Sequence, residues 1–420
     1  MTRSKYISLL LAVVLLFTTL VVPLSADAEA NLSGLNKHQK YYLRLLGSLA
    51  RADYYETNVL ASVTVAQAIY EGGWGAYSLP VGGNNLFGIK AYSNWDGKVY
   101  DQTENMLYNS YGDFLLSLGP IRSEEVSAWR AHDNWAESVR VHSELFTEND
   151  NYAPVVGEKD YKKAIQYIVD GGYCSDNGYV ERAVDILETY GCDQYDDITP
   201  NSDGIVALTS DNDRLYMDIG ETFSLNITYY PSNKTPSSIT FKSDNTDVAK
   251  VDKNGKITAV SHGTAFITAS LENGREACCI VYVDCDATII DQNVTIRESA
   301  SMSSSDLGMM HRGYPVKVMS DISYSDNEGN EYIRVKGYTK QDKLVEGYVL
   351  SQYVYQKKRN VSSITVVKDD VTLTPEQQYT VVNSVAPADA VDRDLVWTSS
   401  DEKIASVNNK GVLLPIKRAL

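Results

Sequence analysis

The sequence predicts a multidomain chain in which a mostly helical α+β region with a small β lobe is followed by all-β modules. Three observations carry that reading. Helical periodicity and a hairpin-like stretch occupy the first part of the chain, strand patterns take over after Tyr195, and a repeat at an offset of 156 residues runs through the second part. At 420 residues the chain is also longer than one hydrophobic core usually organises.

The N-terminus comes first. Arg3 and Lys5 precede an apolar run, Ile7–Val22, and Pro23 and the small residues of PLSADAEA close it. That is the pattern of a secretory signal peptide over residues 1–30, with a small-x-small cleavage site after Ala28 or Ala30. The run falls short of the ~18 residues of a spanning helix. No cysteine stands near the cleavage site to carry a lipid anchor, and no second apolar segment follows. The mature chain is therefore expected outside the cell, secreted or at the cell wall, without stable membrane insertion.

Residues 66–90, AQAIYEGGWGAYSLPVGGNNLFGIK, are the richest in chemistry. Ala61–Tyr70 reads as a helix with Ala61, Val65, Ala68 and Ile69 on one apolar stripe, and Thr64, Gln67 and Glu71 recur at helical spacing beside it. Glu71 thus sits at the rim of a buried face. Gly72, Gly73 and Gly75 end the helix with little bulk and leave room for a large ligand. Trp74 offers a flat apolar surface suited to sugar rings. A half-buried glutamate in such a place has a raised pKa and stays a proton donor near neutral pH, as glycoside hydrolysis needs. The stretch AYSNWDGKVYDQTENMLYNS alternates and carries turn signals, so a β-hairpin region is expected there.

SVTVAQAIYEGGWG followed by NNLFGIK resembles the N-acetylglucosaminidases of glycoside hydrolase family 73, which cut bacterial peptidoglycan. Trp129-Arg130 with Glu137-Ser138, and then GGYCSDNGYVERAVDIL, match further segments of that family in order, together spanning roughly 150 residues. The resemblance implies a lysozyme-like fold with a small β lobe over the cleft. It implies Glu71 as the catalytic acid and Tyr179 as a cleft residue positioning substrate or water. A second carboxylate is expected on the β lobe, with Glu104 ahead of Asp101. Trp74, Asn84, Asn85, Phe87 and Tyr173 are the expected substrate contacts, although Asn84 and Asn85 equally suit a turn. Two mechanisms remain open: inversion by two widely spaced carboxylates, or attack by the substrate's own acetamido group.

Composition narrows the partners. A net charge of −17 argues against nucleic acid and against simple electrostatic capture by anionic wall polymers. The five cysteines show no metal-ligand spacing, and neither a metal nor a cofactor is expected. Cys278 and Cys279, adjacent on a strand, should face opposite sides. A bridge between Cys174 and Cys192 across the last helix stays open. Cys174-Ser175 resembles the start of secreted cysteine peptidases, but the next histidine is His262 in another module, so that reading fails. His132 and His142 read as surface or packing residues.

Residues 193–204, DQYDDITPNSDG, are acidic and bear Gly and Pro, so a linker is placed at 196–204 between a catalytic domain at 31–195 and the modules beyond. FKSDNTDVAKVDKNGKI (241–257) and WTSSDEKIASVNNKGVL (397–413) align without gaps. They resemble group 2 bacterial Ig-like domains, implying β-sandwiches at 205–285 and, in part, at 357–420. The second copy lacks counterparts of HGTAFITASL, so it is expected to expose an edge and part of its core, as an unfolded or truncated copy would. Between them, 286–356 resembles a bacterial SH3-like barrel through Asn293–Arg297, Leu307–Gly313 and Val345–Val349. That resemblance implies wall-peptide binding, with Tyr314, Tyr324 and Tyr348 as its ligand face.

The expected function is a secreted endo-β-N-acetylglucosaminidase acting on the glycan strands of peptidoglycan. The alternatives are a muramidase or lytic transglycosylase on the same fold, and a wall-binding surface protein with a silent cleft.

Overall fold

The computed structural model describes residues 32–103, 106–117, 128–320 and 322–356, and beyond them 363–366, 370–374, 377–381, 383–386, 397–408 and 411–416. The expected signal peptide and Glu104 lie outside the described residues. The chain divides into two compact units, one up to Tyr355 and one from Gln356 on.

Helix α1 (Lys37–Thr57) starts in a capping box, in which the Asn36 side chain accepts from Gln39 N and Gln39 returns the bond to Asn36 N. Helix α2 (Ala61–Gly72) is buried over nearly its whole length and is followed by the short α3 (Ser78–Gly83). The expected hairpin is present as β1 (Val99–Asp101) and β2 (Met106–Tyr108), and α4 (Tyr111–Ser117) follows. Strand β3 (Ala128–Arg130) completes an antiparallel sheet in the order β2-β1-β3. Helices α5 (Trp135–Thr147) and α6 (Tyr161–Asp170) begin at side-chain caps, Asn134 and Asp160, and α7 (Tyr179–Tyr190) is the last helix. Tyr42, Leu45, Leu46, Ala68, Trp135, Ile165 and Leu187 share one core, so α2 runs through the middle of the helical region.

Strands β4 (Ala207–Ser210), β5 (Arg214–Met217), β6 (Thr222–Ser224), β7 (Ile227–Tyr230), β8 (Thr240–Ser243), β9 (Ala249–Val251), β10 (Lys256–Ala259), β11 (Gly263–Ser270) and β12 (Glu276–Val283) form the first repeat copy. They assemble as β5-β12-β11-β8, β6-β10-β9 and β4-β7. Strand β12 is buried on both faces. Cys278 joins the helical core, whereas Cys279 joins the sandwich core with Val281 and Ile257, as alternation requires. All five cysteines are thiols, Cys174 and Cys192 included.

The stretch expected as a linker is anchored at several points. Asp196 accepts from Ser62 N at 2.8 Å, and Asp197 pairs with Arg275 of the sandwich at 2.8 Å.

A β module follows: β13 (Ala287–Ile289), β14 (Val294–Arg297), β15 (Asp306–Met310), β16 (Pro315–Val318), β17 (Tyr324–Ser325), β18 (Glu331–Tyr338), β19 (Leu344–Leu350) and β20 (Val354–Gln356). Its main path is β15-β14-β19-β18-β16-β13-β20 around a core of Ile289, Ile296, Met310, Val316, Val335 and Val349.

The second unit contains β21 (Ser363–Val366), β22 (Tyr379–Thr380), β23 (Asn383–Ala386), β24 (Ala405–Val407) and β25 (Val412–Pro415). Its registers repeat those of the first copy at the offset read in the sequence. Ala207 faces Tyr230 as Ser363 faces Ala386, and Phe223 faces Ile257 as Tyr379 faces Leu413.

Candidate active site

Glu71 stands on the last turn of α2, half-buried. The chain then turns through three consecutive left-handed residues, Gly73 (φ 54°), Trp74 (φ 64°) and Gly75 (φ 70°). Glycine is required at the outer two positions for space as well as φ. A Cβ on Gly73 would lie 2.4 Å from the Tyr77 ring, and one on Gly75 2.5 Å from Tyr42. The turn opens a pocket of about 320 Å³ lined by Glu71, Tyr77, Ser78, Leu79, Gln102 and Ile290.

Burial raises the Glu71 carboxyl above its ordinary range, and a hydrogen bond with Tyr179 partly offsets this by favouring the charged form. Tyr179 opens α7 and is buried, so its hydroxyl keeps its proton. That hydroxyl also accepts from Gln67 Nε2 at 3.0 Å. Gln67 lies one helical turn before Glu71 and is fully buried. With Gln67 donating to the phenol oxygen, the phenol proton is directed towards Glu71. Tyr173 lies close enough for the Glu71 charge to help burial raise its own pKa, and its hydroxyl donates to Phe87 O at 3.2 Å.

Asp176 holds the start of α7 in place. It accepts from Gly178 N at 3.0 Å and from the Tyr70 hydroxyl at 3.3 Å, and it pairs with Arg182, whose Nε donates to Tyr70 at 2.8 Å. This latch and the Gln67 contact are the site features that sequence reasoning missed. The helical spacing of Gln67 and Glu71 was the available signal for the second.

The remaining expected residues divide by their partners. Asp101 is buried in β1, and its carboxylate accepts from Thr103 N at 2.8 Å. Trp74 packs edge-on between Tyr42 and Tyr190, and its carbonyl meets His38 Nε2 at 2.9 Å. Its indole thus packs against the helical core. Asn84 donates to His132 O and Asp133 O and accepts from Arg214, which leaves its amide committed to structure. Asn85 and Phe87 are turned into the interior. Asn85 is fully buried and bonds Ile89 O and Arg130 O, whereas buried Phe87 stacks on His142 at 3.8 Å. Ser138, from the second matched segment, accepts from Leu86 N at 3.1 Å, so that segment holds the NNLFGIK loop. His132 and His142 are packing residues, and burial lowers them to about 4 and about 3. No cluster of three or more His, Cys, Asp or Glu suited to a metal occurs among the described residues.

Residues 47–191 match the family described as mannosyl-glycoprotein endo-beta-N-acetylglucosaminidase. Residues 206–281 and 360–414 match the bacterial Ig-like domain (group 2). Among curated relatives, the exo-glucosaminidase LytG of Bacillus subtilis is 28% identical over 219 residues, covering 51% of this chain and 72% of its own. The peptidoglycan hydrolase FlgJ of Escherichia coli is 26% identical over 154 residues, covering 36% of this chain and 46% of its own. Among solved structures, a C-terminally truncated glycoside hydrolase domain of Salmonella typhimurium FlgJ aligns at 22% identity and a TM-score of 0.29, over 36% of this chain and 97% of that chain.

Proposed function

We propose that this chain, a peptidoglycan hydrolase of glycoside hydrolase family 73 through residues 47–191, cleaves the β-1,4 bond after N-acetylglucosamine in cell-wall glycan with Glu71 as general acid. The observation that carries the reading is the Gln67–Tyr179–Glu71 chain at the edge of an open pocket. Burial holds the Glu71 carboxyl above its ordinary range, which favours the protonated form that gives its proton to the glycosidic oxygen as the bond breaks. The Tyr179 hydroxyl then stabilises the carboxylate left behind. Gln67 acts only as a positioning residue. For the attack on the anomeric carbon, Asp101 is buried in β1 and bonds Thr103 N. That favours Glu104 or the substrate's own acetamido group. We place the enzyme outside the cell on the strength of its N-terminal export pattern, and read 286–356 as an SH3-like module.

The test is digestion of purified peptidoglycan followed by borohydride reduction and mass spectrometry of the new ends. Reduced N-acetylglucosamine is expected, whereas ends at N-acetylmuramic acid or its anhydro form would move the chemistry to the muramidase or transglycosylase. Glu71→Gln should lower kcat by about 10²–10⁴-fold. Wall clearing by Glu71→Gln at the parent rate would overturn the assignment. A general acid loses activity as pH rises through its pKa. Tyr179→Phe removes a bond that favours the charged form, so the alkaline limb of the kcat profile should move to higher pH while kcat falls.

A further inference from the structure

The pocket at Glu71 is not enclosed by the helical region alone. One of its walls is Ile290, from the turn between β13 and β14 of the β module, more than 200 positions along the chain from the acid. This residue is held at both ends of its peptide. Its N–H donates to Tyr353 O at 3.0 Å, and its carbonyl accepts from Arg312 Nε at 3.1 Å. The Arg312 guanidinium in turn lies 4.7 Å over the Tyr77 ring, which rests against Gly73.

Two more contacts fix the same seam. Gly313 abuts His38, where a Cβ would come within 2.7 Å of the imidazole, and His38 bonds the Trp74 carbonyl. Tyr355 packs with Tyr100 of β1 and with Leu79, Val81 and Ile290 in one apolar cluster. The β module therefore grips both α3 and β1, the two elements that flank the pocket. A module serving only as a tethered wall binder has no need to insert a side chain beside the acid.

We propose that the β module is a component of the active site, with Ile290 and Leu79 forming an apolar subsite for the methyl of an N-acyl or lactyl substituent on an amino sugar of the glycan. Ser78 and Gln102 line the same pocket and offer hydrogen bonds to the sugar's polar groups. This rests on the glycosidase reading above.

The experiment uses the full chain. In a Glu71→Gln background, the affinity for the N-acetylglucosamine tetramer is measured by calorimetry for Ile290→Ala, Ile290→Trp and the control Ile322→Ala, an exposed residue of the same module outside the pocket lining. The same substitutions with Glu71 intact are assayed on purified glycan strands. Removing the apolar wall should weaken tetramer binding about tenfold and act on KM more than on kcat. Filling the pocket with tryptophan should weaken it further, while Ile322→Ala stays at the parent value. Thermal unfolding identifies any variant that fails to fold, and Ile290→Ala alone then decides. Parent-like binding and KM in the Ile290 variants, with the parent still cutting glycan, would overturn this subsite and leave the glycosidase reading standing. A parent chain that cuts no glycan would overturn both.

Discussion

The two Ig-like copies have the same local grammar and opposite surroundings. Ser243 Oγ donates to Ala249 O at 2.6 Å, and Ser399 Oγ donates to Ala405 O at 2.6 Å. Val260 N reaches Val248 O at 2.8 Å, and Ile416 N reaches Ile404 O at 2.9 Å. The aromatic of each copy lies over its turn glycine, Phe241 over Gly255 and Trp397 over Gly411. Yet Val248 is 4% exposed and its counterpart Ile404 is 61% exposed. Strand pattern and turn chemistry specify the hairpin and its register. Whether that hairpin acquires a core depends on β11 and β12, which have no counterpart among the described residues of the second copy.

The first copy goes further and shares its outer face with the helical region. Phe266 of β11 stacks on Tyr41 of α1 at 4.6 Å with the Arg44 guanidinium 4.8 Å above it, and Arg44 pairs with Glu276 at 2.6 Å. Arg214 lies 3.8 Å over the Trp135 ring at the start of α5. The largest effect expected from this comparison is therefore at Phe266. Phe266→Ala should cost about 3–5 kcal/mol and lower the unfolding temperature of the helical region together with that of the sandwich. Calorimetry of the full chain reads this directly. A helical transition that stays in place while the sandwich alone weakens would reduce the seam to a passive contact.

Much of this was legible locally. The α2 helix, the strand pair Val99–Asp101 and Met106–Tyr108 and the turn grammar of each repeat copy depend on neighbours within a few residues, and they appear as read. The turn role open to Asn84 and Asn85 was local, as the Asn85 bonds to Ile89 show, but their further partners Arg214 and Arg130 lie far along the chain. The acidic stretch at 196–204 read as a linker because Arg275, which pairs with Asp197, is remote in sequence. One signal of the seam was present. Residues 277–283, ACCIVYV, are apolar at every position rather than at alternate ones, the mark of a strand covered on both faces. Nothing local names what covers the second face.

The finest test of the comparison substitutes matched positions. Val248→Ala removes methyls from a closed core and should cost about 2 kcal/mol in urea unfolding. Ile404→Ala removes more carbon from the matching site, yet should stay within about 0.5 kcal/mol because that side chain is already in water. The serines provide the control, since each hydroxyl makes the same bond. Ser243→Ala and Ser399→Ala should each weaken their own copy by about 1 kcal/mol. Equal costs at Val248 and Ile404 would mean that the second copy is covered in solution and that burial does not separate the two. Equal serine costs beside unequal aliphatic ones would locate the whole difference in the cover over the aliphatic position and none of it in the hairpin.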